Sequence, residues 1–480
     1  MSAEIPRLLL AGTASGSGKT TLACALLATL VRRGLKTAPF KCGPDYIDPL
    51  YHSHAAGTPS HTLDCFLCDQ QTTLALFARY SAGADLAVIE GVMGLYDGVG
   101  QGQEASTNDL SLLTRTPVVL LLTPRGQGFS LCAEIHGFVH FQPNMVRGII
   151  LNNTPPRMAD YYRGMIEGTL KLPVFGAMPP VSARFDSRHL GLITPAEAAN
   201  FSETLDELVQ VFSQHIDVDG LLNLARGAGP LPLAETSPCT GQASGSCIEE
   251  SRAGVQGTDM SAPPAQENAH RPIIGVARDR AFCFYYQDLF ALFSDLGAEV
   301  RFFSPLHDAA LPQGVNGLFL GGGYPEEHAE QLAQNTPMLT AVREATESGM
   351  PVIAECGGYL YLCREIENRQ GVVFPMTGVL PVRAFMQKRL TRFGYITLTA
   401  ERDTLLCPAG TEIRAHEFHY SDSTDNGDAF TARKQGKVWP CIHASGNVFA
   451  GFPHVHWRAN LPLTQAFLTA CTTWQEQGTP

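Results

Sequence analysis

Residues 351–362 read PVIAECGGYLYL: an apolar run, then Glu355-Cys356-Gly357-Gly358, then a Tyr/Leu-rich run. The pattern predicts a buried strand, a tight turn and a helix, with Cys356 at the turn itself. Gly357 and Gly358 tolerate the strained backbone that such an elbow requires. A sulfur exposed on the turn, facing a helix N-terminus that favours thiolate, is how a chain presents a nucleophile. The same string also suits a buried structural cysteine ahead of a glycine turn, so the choice rests on what surrounds it.

The surroundings are strand–helix alternation. Residues 273–279 (IIGVARD) predict a strand, 285–300 a helix and 301–305 a strand. Residues 315–332 predict a strand, the glycine loop Gly321-Gly322-Gly323 and a helix. Strand-like segments recur near Val379–Arg383 and Gly394–Thr399. Cysteine chemistry needs a base and an oxyanion hole. Gly322 and Gly357 are candidate backbone donors, and the base must come from the 15 histidines. His454 and His456 alternate in a β-like stretch, so at most one faces Cys356 directly. His416 and His419, in HEFHY, are rivals.

The other end of the chain is organised around a second loop. Arg7–Ala11 predicts a strand; residues 12–21 read GTASGSGKTT, and a helical run follows to Gly34. Strand, glycine loop, GKT and helix are the context of a phosphate-binding loop. Gly12, Thr13, Gly16, Gly18, Lys19, Thr20 and Thr21 are its candidate ATP-binding residues. Lys19 would reach the outer phosphates and Thr20 would hold Mg²⁺. The usual first glycine of the motif is Thr13 here, with the glycine one place earlier. Residues 41–49, KCGPDYIDP, follow a short strand, where open α/β sheets bind ligands; Asp45 and Asp48 suit either Mg²⁺ or substrate. Residues 85–90 predict a strand ending in Glu90, with Asp97 in the loop beyond, both candidates for the metal. Asn152 and Asn153 end another strand and suit contact with a base. The Cys65/Cys68 pair lacks two further zinc ligands at matched spacing, and reads as two buried or half-buried thiols.

At 480 residues the chain exceeds the roughly 250–300 that one core supports. Residues 1–226 and 272–480 are the predicted domains, joined by a Gly/Ser/Pro-rich flexible linker, 227–271. The class is α/β, with two mostly parallel sheets flanked by helices. A formal net charge of −12 argues against nucleic acid as a main partner. No run of about 18 apolar residues predicts a membrane span. The 13 scattered cysteines favour a reducing cytoplasm. A homodimer is compatible with the chain.

The C-terminal half resembles a class I glutamine amidotransferase domain of the cobalamin-pathway type. The N-terminal half resembles the dethiobiotin-synthetase-like ATPases, whose loop also reads G-T-x-x-x-x-G-K-T. Together with KCGPDYIDP, EGVMGLYDG, GGGYPE, ECGGYLYL and HEFHYS, the chain is similar to the cobyrinic acid a,c-diamide synthase family over all but the linker. The resemblance implies an amidoligase that uses ATP, Mg²⁺ and glutamine to amidate the a- and c-acetates of cobyrinic acid through acyl phosphates. It implies Cys356 as nucleophile and His454 as its base. Where many relatives have HxE, His456 follows, so a Cys-His dyad is expected instead of a triad. Asp45, Asp48, Glu90 and Asp97 match acidic positions of the synthetase site. Lys41, Tyr46, Arg184 and Arg188, with Arg125, are the expected contacts of a polyanionic corrinoid. Hydrogenobyrinic acid and nickel-sirohydrochlorin are alternative substrates. A partitioning-type nucleotide switch and a free glutaminase are alternatives of other classes. The switch is disfavoured by the absence of an early loop lysine, and the free glutaminase leaves GKT unexplained.

Overall fold

The computed structural model describes residues 5–182, 185, 187–188, 191–192, 200–232 and 271–477, with the backbone alone at 187–188 and 191–192. The first domain is built on seven parallel strands. They are β1 (Arg7–Gly12), β2 (Thr37–Cys42), β3 (His61–Leu63), β4 (Leu86–Gly94), β5 (Val118–Leu122), β6 (Val146–Leu151) and β7 (Val174–Ala177), in spatial order β3-β2-β4-β1-β5-β6-β7. Strands this apolar are buried on both faces. Along β1, Leu8 and Leu10 enter one core while Leu9 and Ala11 enter the other. The chain winds both ways from β1, so the crevice at its carboxyl end is a ligand site by topology. Helix α1 (Lys19–Arg32) starts there, and α2 (Ile47–Ala56) starts just after β2. No helix among the described residues is long and apolar enough to cross a membrane.

The second domain carries a six-stranded sheet in the order 299–303, 273–277, 317–320, 352–355, 448–451, 443–445, with only the last strand antiparallel. Val352 and Ala354 pack on one side of it and Ile353 on the other. Two further sheets are added from residues 363–455: a mixed one of Val373–Pro375, Cys363–Glu367, Leu380–Met386 and Ser421–Ser423, whose middle pair runs parallel, and an antiparallel one of Arg392–Ala400, Glu412–His419, Phe430–Lys434, Lys437–Cys441 and His454–Val455. The sequence pattern marks two of these strands. The predicted linker begins as part of the first domain: the Gly229 carbonyl accepts from the Arg7 guanidinium at 2.7 Å, and Leu231 is buried. Its remaining residues from 233 to 270, Cys239 and Cys247 among them, lie outside the described residues.

Candidate active site

At the elbow, strand Val352–Glu355 ends and helix Gly357–Leu362 begins, with Cys356 at φ +47° between them. A non-glycine residue holds that conformation only when its neighbours enforce it. Here the Cys356 N–H donates to the Gly451 carbonyl at 2.7 Å, and its carbonyl accepts from Leu360 N–H at 3.0 Å. A β-carbon on Gly358 would lie 2.0 Å from the Leu320 carbonyl oxygen, so the second glycine lets the helix touch the sheet. A β-carbon on Gly357 would lie 2.8 Å from the Gly323 nitrogen, which sets the GGG loop directly against the elbow. That loop is held by Tyr285, whose hydroxyl accepts from Gly321 N–H at 3.0 Å and donates to the Ala277 carbonyl. The Gly322 carbonyl accepts from Cys283 and Phe284 N–H, and a β-carbon at this position would lie 2.6 Å from His454 Cε1. Gly323, not Gly322, lines the cavity beside Cys356.

The helix is only six residues long, and the thiol does not behave as its N-terminal position suggests. Burial, then the Glu326 carboxylate, hold the Cys356 thiol well above its ordinary range. The sulfur is therefore a protonated thiol at rest, and a base must take its proton during attack. His454 is 2% exposed and lines the same cavity. Its Nδ1 lies 3.7 Å from Glu355 Oε2. His416 stacks on it with ring centroids 5.1 Å apart, and burial drives His416 well below the ordinary imidazole range. His456 turns away against Tyr286, at 5.0 Å.

The phosphate loop lies across the same space. A β-carbon on Gly12 would meet Ser17 Oγ, and Gly18 has φ +89° with a would-be β-carbon 2.3 Å from Asn152 Nδ2. Asn152 donates to the Ser17 carbonyl at 2.9 Å, so it braces the loop, while Asn153 lines the cavity beside it. Lys19 Nζ donates to the Met93 carbonyl at 2.6 Å and to Ala14 at 3.2 Å. Beyond it is a buried cluster. Thr20 Oγ1 donates to Glu90 Oε1 at 2.8 Å, Lys41 Nζ pairs with Glu90 at 2.8 Å and Asp48 at 2.6 Å, and His52 Nε2 meets Glu90 Oε2 at 2.5 Å. Burial alone would raise Glu90, but Lys41 and His52 hold it well below the carboxylate range. Burial, then Asp45, push Asp48 up to about 7 despite Lys41. Asp45 itself caps α2, accepting from Ile47 and Asp48 N–H at 2.8 and 3.1 Å.

The expected site residues divide accordingly. Lys41 is spent on Asp48 and Glu90 rather than offered to a substrate. Asp97 is exposed and accepts from Gly94 N–H at 2.8 Å, shaping its loop. Arg125 is exposed and outside the cavity lining. Arg184 and the Arg188 side chain lie outside the described residues. Tyr46 goes further than sequence suggests: it leaves the first domain to stack on Tyr286 at 4.6 Å and Phe284 at 5.4 Å, and its ring lies 5.1 Å from that of His454. His52 went unread, although it stands one helical turn beyond Asp48, on the same face of α2. Among the described residues no group of three or more His, Cys, Asp or Glu is set to hold a metal ion. One hydroxyl and one carboxylate beside a phosphate loop is the smaller donor set Mg²⁺ takes when phosphates complete its shell.

Both half-sites open into one cavity of about 1100 Å³, lined by Lys19, Thr20, Asp48 and Glu90 on one side and by Cys356 and His454 on the other. Residues 8–193 match the CobQ/CobB/MinD/ParA nucleotide binding domain, and residues 273–462 the CobB/CobQ-like glutamine amidotransferase domain. The chain is 37% identical to the cobyrinate a,c-diamide synthase of Salmonella typhimurium, over 98% of this chain and 99% of the relative. It is 34% identical to the one from Thermoplasma volcanium, over 99% of both. It is 37% identical to the hydrogenobyrinate a,c-diamide synthase of Streptomyces coelicolor, over 98% of both.

Proposed function

Because the chain belongs to the family of cobyrinate and hydrogenobyrinate a,c-diamide synthases, we propose that its one cavity carries glutamine nitrogen to two carboxylates of a corrinoid activated by ATP. The observation that carries this reading is the cavity, which holds a phosphate loop and a cysteine elbow together. The chain is a carbon–nitrogen ligase with a nucleotide-binding domain and a glutamine amidotransferase domain.

In the second domain the Cys356 thiol attacks the glutamine carboxamide while His454 takes its proton. The Gly323 and Gly357 N–H groups, beside Cys356, serve the oxyanion in this reading. His454 returns that proton to the departing ammonia, and then draws one from water to release glutamate. In the first domain a substrate carboxylate attacks the γ-phosphate of ATP, and Lys19 offsets the charge gathering there. Thr20 and Glu90 would hold Mg²⁺, which when bound neutralises charge on the phosphate oxygens. Ammonia then displaces phosphate from the acyl phosphate within the same enclosure.

The corrinoid is a polyanion, and the cavity's cations are few. Lys19 and Lys41 are committed to the loop and the acidic cluster. The other cations among the described lining residues are Arg433, 3.6 Å from exposed Glu412, and Lys434, which donates to the Phe393 carbonyl, on the hairpin of strands Phe430–Lys434 and Lys437–Cys441. Exposed Phe393 and Phe418 line the cavity beside them and suit the faces of a flat macrocycle. Arg184 and Arg188 add to this set in our reading.

The test is incubation with cobyrinic acid, Mg-ATP and glutamine, with products separated by mass. Two successive ATP-dependent amidations are expected. Hydrogenobyrinic acid and nickel-sirohydrochlorin in parallel read the metal preference. Glutamine hydrolysis without amidation of any of the three would overturn the reading.

A further inference from the structure

The residue before the nucleophile is a buried carboxylate whose two oxygens have different partners. Glu355 is 4% exposed. Its Oε1 accepts from Val455 N–H at 3.1 Å and from Trp457 Nε1–H at 2.9 Å, so it is clamped to the segment that carries His454. Its Oε2 is 3.7 Å from His454 Nδ1. That nitrogen is buried and has no hydrogen-bond partner. A closure of under 1 Å would turn the approach into a hydrogen bond, and catalytic contacts are commonly loose before substrate binds.

We infer that Glu355 is the positioning residue of the glutaminase half-site, fixing the tautomer of His454 and stabilising its imidazolium. It does from the nucleophile's own strand what a carboxylate two residues after the histidine does elsewhere. The expected dyad thus becomes a Cys356–His454–Glu355 relay. The inference rests on the assignment of glutamine hydrolysis to Cys356 and His454.

His456 cannot fill the role. It faces Tyr286, and burial lowers it to about 4, which leaves it neutral. The other groups around His454 leave the same gap. Tyr46 presents a neutral ring, burial keeps His416 neutral, and burial lowers His419 to about 4. Glu326 and Glu417 are each pushed up to about 7 by burial. Glu355 is the carboxylate within ion-pair distance of the ring. With Nδ1–H directed to Glu355, Nε2 is the nitrogen left to accept the thiol proton. As the sulfur–carbon bond forms, that proton passes to Nε2. As the carbon–nitrogen bond breaks, it leaves with ammonia. Water then gives a proton to Nε2 as it attacks the thioester, and the departing sulfur recovers it as glutamate is released. Each half-reaction passes through an imidazolium, whose charge Glu355 balances.

Glu355→Gln keeps both contacts of Oε1 and removes the charge facing Nδ1. Glutamine hydrolysis should fall in kcat by about 10- to 100-fold with KM for glutamine within about 2-fold. The acid limb of its pH profile should move down by about one unit, because imidazolium loses its counter-charge. Amidation supported by added ammonium salt should be unchanged, and Glu355→Asp should restore part of kcat. Trp457→Phe, which frees Oε1 alone, should shift the same limb in the same direction by less. An unshifted limb and wild-type kcat in Glu355→Gln would overturn the inference. If Glu355→Gln also lost ammonia-supported amidation, an unshifted limb in Trp457→Phe would do the same. Cys356→Ala separates the layers: glutamine hydrolysis surviving in it would refute the underlying assignment, not the role of Glu355.

Discussion

Lys19 and Lys41 share one cavity, yet their surroundings move them in opposite directions. Burial, then the charge of Lys41, lower Lys19 to about 8. Lys41 is buried as deeply, but Asp48 and Glu90 outweigh the burial and hold it above the ordinary lysine range. Lys19 is thus half-neutral at about pH 8 until a phosphate arrives. A bound γ-phosphate restores the charge and returns its pKa toward or above the ordinary 10.5. Nucleotide binding should therefore take up protons, most strongly at about pH 9 and hardly at all at about pH 6.5. Calorimetry of ATP binding in buffers of different ionisation enthalpy measures this directly, and equal heats at the higher pH would contradict the assignment.

At the scale of elements, α2 joins the two half-sites. Its face carries Asp48 and His52 into the synthetase cluster, and Tyr46, just before its first turn, enters the aromatic group around His454. Tyr46→Ala should cost about 3 kcal/mol, as for large aromatics removed from cores, and should lower glutamine hydrolysis. Tyr46→Phe should stay near wild type in both. Thermal melts and glutaminase rates check this pair; an alanine variant with unchanged Tm and rate would show that the contact is idle. Both loops were legible because glycine patterns report local backbone demands: Gly18 and the Gly357–Gly358 pair sit where a β-carbon strains or collides. The pairing of Glu355 with His454 was hidden because it spans a hundred residues of sequence, and Tyr46 was hidden because nothing local marks a side chain that leaves its own domain.

In the whole molecule the domains meet through charge as well as aromatic packing. Arg79 of the first domain pairs in bidentate fashion with Asp295 at 2.6 and 2.9 Å, and Tyr80 donates to buried Asp288, which also holds Arg458. Tyr395 reaches back to Asp64 at 2.7 Å. Tyr395 also lines the shared cavity, whose walls come from both domains, so the enclosure belongs to the assembled pair and to neither domain alone. The two-domain division could be read from composition and strand–helix alternation. Most of the strands of residues 363–455 could not, because short strands broken by turns carry little period. The proposed function requires nitrogen to pass from Cys356 to the synthetase site without leaving that cavity. The most direct test supplies amide-¹⁵N glutamine together with a large excess of unlabelled ammonium, and reads the isotope in the diamide by mass. Both new amides should carry ¹⁵N despite the excess. Amides labelled only in proportion to the mixed pool would contradict that requirement.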